Sequence, residues 1–237
     1  AMNECLRSLP GLGASQQIIP ALAMAKFAFS LTPSHLAFIA AQKIYFVASA
    51  PAQGRVNLSP KGMDTFRVLS TTCVSYLDVT ASGNETAAHL LENGRLVLMM
   101  RSFTAPPLIF RLYGRGRVVQ PADADWPQLR PLFGPPLAGE RQLVLAEIES
   151  IQTSCGFGVP FFDYTGERPT LLDYAEKKGP AAMAAYRTQH NLRSIDGRPT
   201  GLTENEGGVS APPFSPPPTL RSPLSAPSPQ LPATFFP

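Results

Sequence analysis

Short runs of alternating hydrophobic and polar residues fill the middle of the chain, and turn residues separate most of them. Runs of this kind, rich in β-branched and aromatic residues, are typical of strands in antiparallel sheets. They cover residues 43–49, 55–59, 66–69, 73–78, 96–103, 108–119 and 142–151. We therefore expect a mainly β protein, an antiparallel barrel or sandwich, with a few helices between the strands.

Four helical segments interrupt or follow these runs. Thr32 and Pro33 read as a helix N-cap followed by proline at the first helical position. Ser82, followed three residues later by Glu85, reads as a capping box that starts a second helix. A third helix is expected near 123–133, and a last one from about residue 170, restarting at Pro180.

Composition divides the 237 residues into three parts. Residues 24–197 are expected to form one folded domain. The segment from 198 to 237 holds eleven of the 26 prolines and is expected to be a disordered or polyproline-like tail. Residues 1–23 read as a disordered arm, a trimmed targeting segment or a non-native extension.

Charge and cysteine content narrow the function classes. The formal charge of +3 is small and spread along the chain, so nothing requires a nucleic-acid partner. No apolar run reaches the roughly 18 to 20 residues that a membrane span needs. Cys5, Cys73 and Cys155 are too few and too scattered for a disulfide framework or a zinc site. We expect a soluble, cytoplasmic protein without a metal, although organelle targeting by the N-terminal extension stays open.

Two polar corners carry groups that can bind an anion. On the first, Asn57 and Ser59 share one strand face and Lys61 adds a positive charge, although an isolated Ser-Pro-Lys-Gly sequence is also typical of a solvated turn. On the second, the start of the helix after Ser82 offers free backbone N–H groups. Gly83 would let an anion approach the backbone closely, and Asn84 and Thr86 would add side-chain donors.

Several motifs occur in an order that resembles a known family: N-L-S-P-K-G, a hairpin, S-G-N-E-T, E-N-G-R-L-V-L-M, L-x-G-R-G-R-V and Q-T-S-C-G-F-G-V-P. The chain from about residue 24 to 197 is similar to the pyridoxamine 5′-phosphate oxidase-like family. This resemblance implies a six-stranded antiparallel split β-barrel that pairs into a homodimer. It also implies one FMN at each end of the interface, contacted by both subunits.

The resemblance also implies where FMN would bind. Asn57, Ser59 and Lys61 would meet the flavin ring and ribityl chain, and the segment 82–86 would hold the phosphate. The family often has an Arg-Lys pair after the serine, but this chain has Gly83 and Asn84 there. The positive charge that balances the phosphate would then have to come from Lys61, Arg111 or Arg117. The two arginines are an even number of residues apart on one strand, so their side chains are expected to point to the same face. Structural salt bridges would also suit arginines in such positions.

The loop 152–160 would reach across the dimer with Ser154, Cys155 and Gly156 near the ring. Cys155 is either a nucleophile or a small residue in a tight loop, and no histidine lies in a recognisable partner motif. No catalytic residue is assigned. The true oxidases of this family end in a Trp-containing strand with an Arg-Leu motif, which this chain lacks.

The sequence therefore predicts an FMN-binding oxidoreductase that acts on an unidentified small molecule. Two alternatives stay open: a split barrel that binds deazaflavin or haem, and a non-catalytic dimeric binding module.

Overall fold

The computed structural model describes residues 25–202, which fold around one antiparallel sheet. Its strands are β1 (Lys26–Ala28), β2 (Tyr45–Ser49), β3 (Asn57–Lys61), β4 (Phe66–Ser70), β5 (Cys73–Val79), β6 (Arg95–Arg101), β7 (Ile109–Val119) and β8 (Glu140–Ser154). The helices are α1 (Pro33–Ala41), α2 (Glu85–Asn93), α3 (Trp126–Leu129) and α4 (Thr170–His190), with a 3-10 turn at Arg130–Phe133. The predicted antiparallel, mainly β class with flanking helices is confirmed.

The strands follow the order β3-β2-β6-β7-β8-β5-β4, and β1 pairs with β8. The described sheet has eight strands, not the six that the resemblance implied. One of the two additional strands follows from the length of β8. The first half of β8 pairs with β5, and Ile151, Gln152 and Thr153 in its second half pair with β1. A long strand leaves free backbone groups at one end, and a short edge strand satisfies them.

Alternation along the central strands separates an inner from an outer face. Val47, Leu98 and Leu112 lie in one register row across β2, β6 and β7, and each is at most 3% exposed. Phe110 and Tyr76 join them in the main hydrophobic core. Burial of this row fixes the register, because a shift by one residue would turn these side chains to the opposite face.

The sheet is not closed by backbone pairing, since β3 and β4 end the strand path. Side chains bridge the gap. The Tyr45 hydroxyl lies 2.9 Å from the Thr65 hydroxyl, and the Lys61 ammonium on β3 donates to Asp78 on β5 at 2.7 Å. The Tyr45 ring also packs against the Phe66 and Tyr76 rings. The barrel is thus split in its backbone and bridged by polar and aromatic contacts.

The helices confirm three of the four predicted starts. Thr32 caps α1 with Pro33 at its first position, a helix follows near residue 126, and α4 is kinked at Gly179 just before Pro180. The Ser82 capping box is wrong: α2 begins at Glu85, its N-cap is Asn84, and no side chain caps it. The reason is that Asn84 and Glu85 bond to residues outside the helix.

The C-terminal part of the described chain packs against α2 and the β2–β3 hairpin. Both Glu85 carboxylate oxygens accept from the Ile195 N–H, at 3.0 and 3.1 Å. Asp196 pairs with Arg55, and Arg198 pairs with Glu92 on α2. Packed residues continue to Thr200, which is fully buried. Within residues 25–202, no helix is both long and apolar enough to cross a bilayer.

Candidate functional site

The polar face of β3 meets the first turn of α2 at one mouth of the barrel. The Asn57 side-chain amide donates to the Thr86 hydroxyl at 3.1 Å, and Ser59 donates to Asn57 at 3.2 Å. Both side chains point inward, as their parity predicts, while Leu58 between them is 63% exposed. The two corners that the sequence singles out are therefore neighbours in space. We call this group of side chains, together with Lys61 and residues 82–86, the barrel-mouth site.

Lys61 lies at the end of β3 and is only partly exposed. Its ammonium donates to Asp78 at 2.7 Å and lies 5.3 Å from the centre of the Tyr76 ring. The interpretation of Lys61 as a solvated turn tip is therefore wrong, because an ion pair and an aromatic face hold the side chain against the barrel. Its charge is also partly neutralised before any ligand binds.

Asp78 is the centre of a buried charge cluster that the sequence did not predict. Its side chain is 6% exposed and accepts from Lys61 through one oxygen and from Arg141 and Gln142 through the other, at 2.6 and 2.9 Å. Burial raises the pKa of Asp78, but the charges of Lys61 and Arg141 and their hydrogen bonds outweigh it and hold that pKa well below its ordinary value. Asp78 is thus a charged group with both carboxylate oxygens engaged in hydrogen bonds.

Arg141 connects this cluster to the start of α2. Its guanidinium donates to Asp78 at 2.6 Å, to the Gly83 carbonyl at 3.1 Å and to the Asn191 side chain at 2.7 Å. Gln142, next to it on β8, donates to the side chain of Asn84 at 2.8 Å. These contacts explain why Asn84 does not cap its own helix, since its oxygen already accepts from β8.

Two buried donors in this region lack an acceptor among the described residues. They are the Asn84 side-chain nitrogen and the Arg141 Nε. Asn84 is 3% exposed and lies at the N-terminus of α2, whereas Ser82 is exposed and Gly83 half-buried beside it. A buried polar group without a partner costs about 1 to 3 kcal/mol, but both of these atoms are closed to solvent, so a ligand oxygen would reach them only after the side chains move. The donors that an incoming phosphate could meet directly are the exposed Ser82 hydroxyl and the backbone at the N-terminus of α2.

Arg111 and Ser154 form a second group on the other face of the sheet. Arg111 donates to the Ser154 hydroxyl at 3.3 Å, across the β7–β8 pair. Arg111 pairs in register with Met99 on the outer face, while Ser59 lies in the row of buried inner residues. One subunit therefore does not present these two groups to one ligand on a single sheet face.

Arg117 shares the outer face with Arg111, as its parity predicts, but lies six residues further along β7. It forms a salt bridge with Asp125 just before α3. At about 3.3 Å per residue the two arginines are roughly 20 Å apart along the strand. Arg117 thus takes the structural role that its position also allowed, and it lies apart from the barrel-mouth site.

The end of β8 leads into the loop that holds Cys155 and Gly156. Cys155 is exposed and Gly156 is buried. A Cβ added to Gly156 would lie 3.1 Å from the backbone nitrogen of Leu108, so the close approach that requires glycine here is to the start of β7. Phe157, Phe161 and Phe162 follow and are each more than half exposed. In residues 25–202 no group of three or more potential metal ligands comes together.

Sequence comparison places the chain in a family. Residues 31–155 match the pyridoxamine 5′-phosphate oxidase family. The chain is also 40% identical over 175 residues to the pyridoxamine 5′-phosphate oxidase family protein ustO of Aspergillus flavus, covering 67% of this chain and 70% of the relative. The chain belongs to the pyridoxamine 5′-phosphate oxidase family. Its split barrel is the fold that membership in this family predicts.

Two solved structures resemble this family member more distantly. The haem storage protein HutZ of Vibrio cholerae is 19% identical, with a TM-score of 0.39, and the match covers 54% of this chain and 96% of HutZ. An FAD-binding protein of Mesorhizobium loti is 11% identical, with a TM-score of 0.39, and the match covers 55% of this chain and 96% of that protein. Neither likeness bears on the ligand of the present chain.

Proposed function

We propose that the chain is an FMN-binding oxidoreductase that acts on a small molecule and works as a homodimer with shared cofactor sites. The observation that supports this most directly is the contact between Asn57 and Thr86, which joins the polar face of β3 to the first turn of α2. Membership in the pyridoxamine 5′-phosphate oxidase family makes a flavin the first ligand to test there.

The residues of the barrel-mouth site fit a phosphorylated flavin. The N-terminus of α2 and the exposed Ser82 hydroxyl would hold the phosphate, and the buried Asn84 nitrogen, which has no acceptor within residues 25–202, would join them if its side chain moved. The charges of the site balance, since Lys61 and Arg141 bring two positive charges and Asp78 and Glu85 bring two negative ones, so neutral donors would have to hold the phosphate. The Glu85 carboxylate lies beside Gly83 and accepts from the Ile195 N–H, which orders the side chain and leaves its charge in place. When bound, flavin would supply the electron transfer, and the protein would bind and orient it.

The outer face of the sheet supports the homodimer. Leu58, Ala48, Val97 and Tyr113 lie in one register row across β3, β2, β6 and β7, and each is exposed or half-buried. The neighbouring row contains Phe46, Met99 and Arg111 and continues to Gln152 on β8. An apolar sheet face is expected to be covered, and a second copy of the same chain would bring Arg111 and Ser154 to the interface.

The first test is the cofactor content of the full chain and of Lys61→Ala. The purified protein should show flavin absorbance, and Lys61→Ala should weaken FMN binding at least tenfold, measured by quenching of flavin fluorescence. Lys43→Ala is the matched control, because Lys43 is exposed and contacts only a tyrosine ring in the described residues. A Soret band, or a colourless protein that added FMN leaves unchanged, would overturn the flavin assignment.

The second test concerns the dimer. Leu58→Glu places a charge at the β3 edge of the apolar outer face and should convert the dimer to a monomer in sedimentation velocity. Ile195→Glu is the control, because Ile195 is 69% exposed on the C-terminal segment rather than on the sheet. A dimer that survives Leu58→Glu unchanged would exclude this face as the interface. If the cofactor sites are shared, Leu58→Glu should also lower the FMN bound per chain.

A further inference from the structure

Residues 192–200 form a small hairpin that spans two elements of the barrel mouth, and we call it the clamp hairpin. The Ser194 N–H closes it by donating to the Arg198 carbonyl at 2.8 Å, and the Gly197 N–H donates to the Ser194 carbonyl at 2.8 Å. Gly197 has a φ of 76°, a left-handed conformation that favours glycine. Thr200, at the end of the hairpin, is fully buried. The clamp hairpin is therefore a fixed part of the fold.

The base of the clamp hairpin is anchored beside the segment that leads into α2. The fully buried Asn191 side chain accepts from Arg141 at 2.7 Å and donates to the Ala81 carbonyl at 3.2 Å. The Thr200 hydroxyl donates to the Asn191 carbonyl at 2.6 Å. The hairpin thus starts from the same buried cluster that holds residues 81–83.

Two consecutive residues at the tip of the clamp hairpin hold the two elements that form the mouth. The Ile195 N–H donates to both oxygens of Glu85, at 3.0 and 3.1 Å, in the first turn of α2. The Asp196 carboxylate accepts from the Arg55 N–H at 2.7 Å, just before β3, and from the Arg55 guanidinium. The Asp196 side chain is 14% exposed, and a Cβ on Gly54 would lie 2.5 Å from one of its oxygens, so glycine lets the carboxylate reach this backbone.

The residues that the clamp hairpin holds are next to the pair that joins the mouth. Glu85 directly precedes Thr86, and Arg55 lies two residues before Asn57, whose side-chain amide donates to the Thr86 hydroxyl at 3.1 Å. A single hydrogen bond between neutral groups stabilises only modestly, and β3 is an edge strand of the described sheet. The clamp hairpin adds a second link with charged acceptors across the same gap.

The last turn of α2 is bonded to the β2–β3 connection without help from Asp196. Glu92 accepts from the Ala52 N–H at 3.1 Å, and the Asn93 side chain donates to the Ala50 carbonyl at 2.9 Å. Release of Asp196 should therefore loosen the first turn of α2 and the start of β3, and leave the far end of the helix in place.

We propose that Asp196 is a positioning residue for the barrel-mouth site. Together with the Ile195 N–H beside it, Asp196 sets the distance between the start of β3 and the first turn of α2, and it acts through these elements without touching a ligand. The consequence for FMN rests on the proposed function, whereas the link between the two elements does not.

Hydrogen exchange on the full chain, with no flavin added, measures the positioning itself. In Asp196→Ala, peptides covering residues 57–61 and 85–89 should exchange at least about threefold faster, because release of the hairpin tip favours local opening. Peptides from β5 and β8 and the urea midpoint should stay as in the wild type. Asp163→Ala is the matched control, since Asp163 is exposed in the loop after β8. Asp196→Asn keeps an acceptor for the Arg55 N–H and should lie between Asp196→Ala and the wild type.

FMN binding gives a second readout. Asp196→Ala should weaken FMN binding about fivefold, the size expected when one hydrogen bond to the ligand loses its alignment. Asp196→Asn should restore part of the affinity, and Asp163→Ala should bind FMN as the wild type does.

Faster exchange confined to residues 53–56 and 193–199 would overturn the proposal, because the hairpin tip would then be released without an effect on the mouth. Faster exchange spread over β5 and β8 would overturn it too, since it would indicate a general loss of stability. So would FMN binding by Asp196→Ala that is equal to or tighter than that of the wild type. If the wild-type chain binds no FMN, the proposed function fails, and the exchange measurement alone decides whether Asp196 positions the mouth.

Discussion

Asp78→Asn tests whether the buried charge cluster stabilises the split barrel. The substitution keeps the shape of the side chain but removes the only negative charge that Lys61 and Arg141 share in the described structure. It also replaces one acceptor oxygen with a donor, which would face a guanidinium or ammonium donor. Removing one partner from a buried ion pair costs about 3 to 5 kcal/mol. Native proteins are stable by only about 5 to 15 kcal/mol, so the effect should be large.

Urea unfolding, followed by the fluorescence of Trp126, measures this loss. With a slope of about 2 kcal/mol per molar, the midpoint for Asp78→Asn should fall by roughly 2 M. Asp64→Asn is the control, since Asp64 also pairs with an arginine but its side chain is 88% exposed. Exposed pairs contribute about 0 to 1 kcal/mol, so the control should unfold close to the wild type.

The pH dependence gives an independent check of the same reasoning. The folded pKa of Asp78 lies below its unfolded value, so the unfolded chain binds more protons in mild acid. The stability that Asp78 contributes is therefore fully present above about pH 4 and is lost as pH falls further. The difference between wild type and Asp78→Asn should narrow over that range. A loss under about 1 kcal/mol at pH 7, or a difference that stays constant down to pH 2, would refute the reasoning.

Two further substitutions test how the sheet is assembled. Gly114→Ala should lower the free energy of unfolding by more than about 2 kcal/mol, because the new Cβ would lie 1.9 Å from the Glu147 carbonyl oxygen at the β7–β8 bulge. Gly158→Ala, with nothing within 4 Å of the added Cβ, should unfold as the wild type does in the same urea titration. Tyr45→Phe removes the hydroxyl bonded to Thr65 across the split and should cost about 1 kcal/mol; an unchanged urea midpoint would show that this bond does not stabilise the barrel.

The strands and most helix starts could be predicted from the sequence because their signals are local. Alternation gives a strand its two faces, and Thr32 with Pro33 marks a helix start within two residues. The parity of Asn57 and Ser59 likewise predicted the face they share. The start of α2 was mispredicted because the capping box at Ser82 is a local signal, and long-range hydrogen bonds override it. Gln142 on β8 donates to the side-chain oxygen of Asn84, and the Ile195 N–H donates to the Glu85 carboxylate.

The charge cluster around Asp78 was not predicted for the same physical reason, because its contacts join residues that are far apart in the sequence. Asp78 and Arg141 are 63 residues apart, and Asn191 is another 50 residues away. Charged residues at strand ends are normally solvated, so their types and spacing do not reveal that they meet in the core. The sequence did contain a weak signal: Arg141 and Gln142 are consecutive polar residues at the start of an otherwise apolar strand, and neighbouring strand residues point to opposite faces, so one of them had to face inward.

The charge balance around Asp78 limits how the barrel-mouth site can recognise an anion. Lys61 was expected to supply a free positive charge, but Asp78 takes up one of the two charges that Lys61 and Arg141 bring. Moreover, Arg141 is buried and donates hydrogen bonds to three acceptors. Its positive charge would therefore stabilise a phosphate at the barrel-mouth site through the electrostatic field and not by direct contact. Phosphate affinity must then come chiefly from oriented neutral donors, namely the α2 backbone and Asn84. Such binding depends less on salt than binding to an exposed lysine would, because buried dipoles are weakly screened.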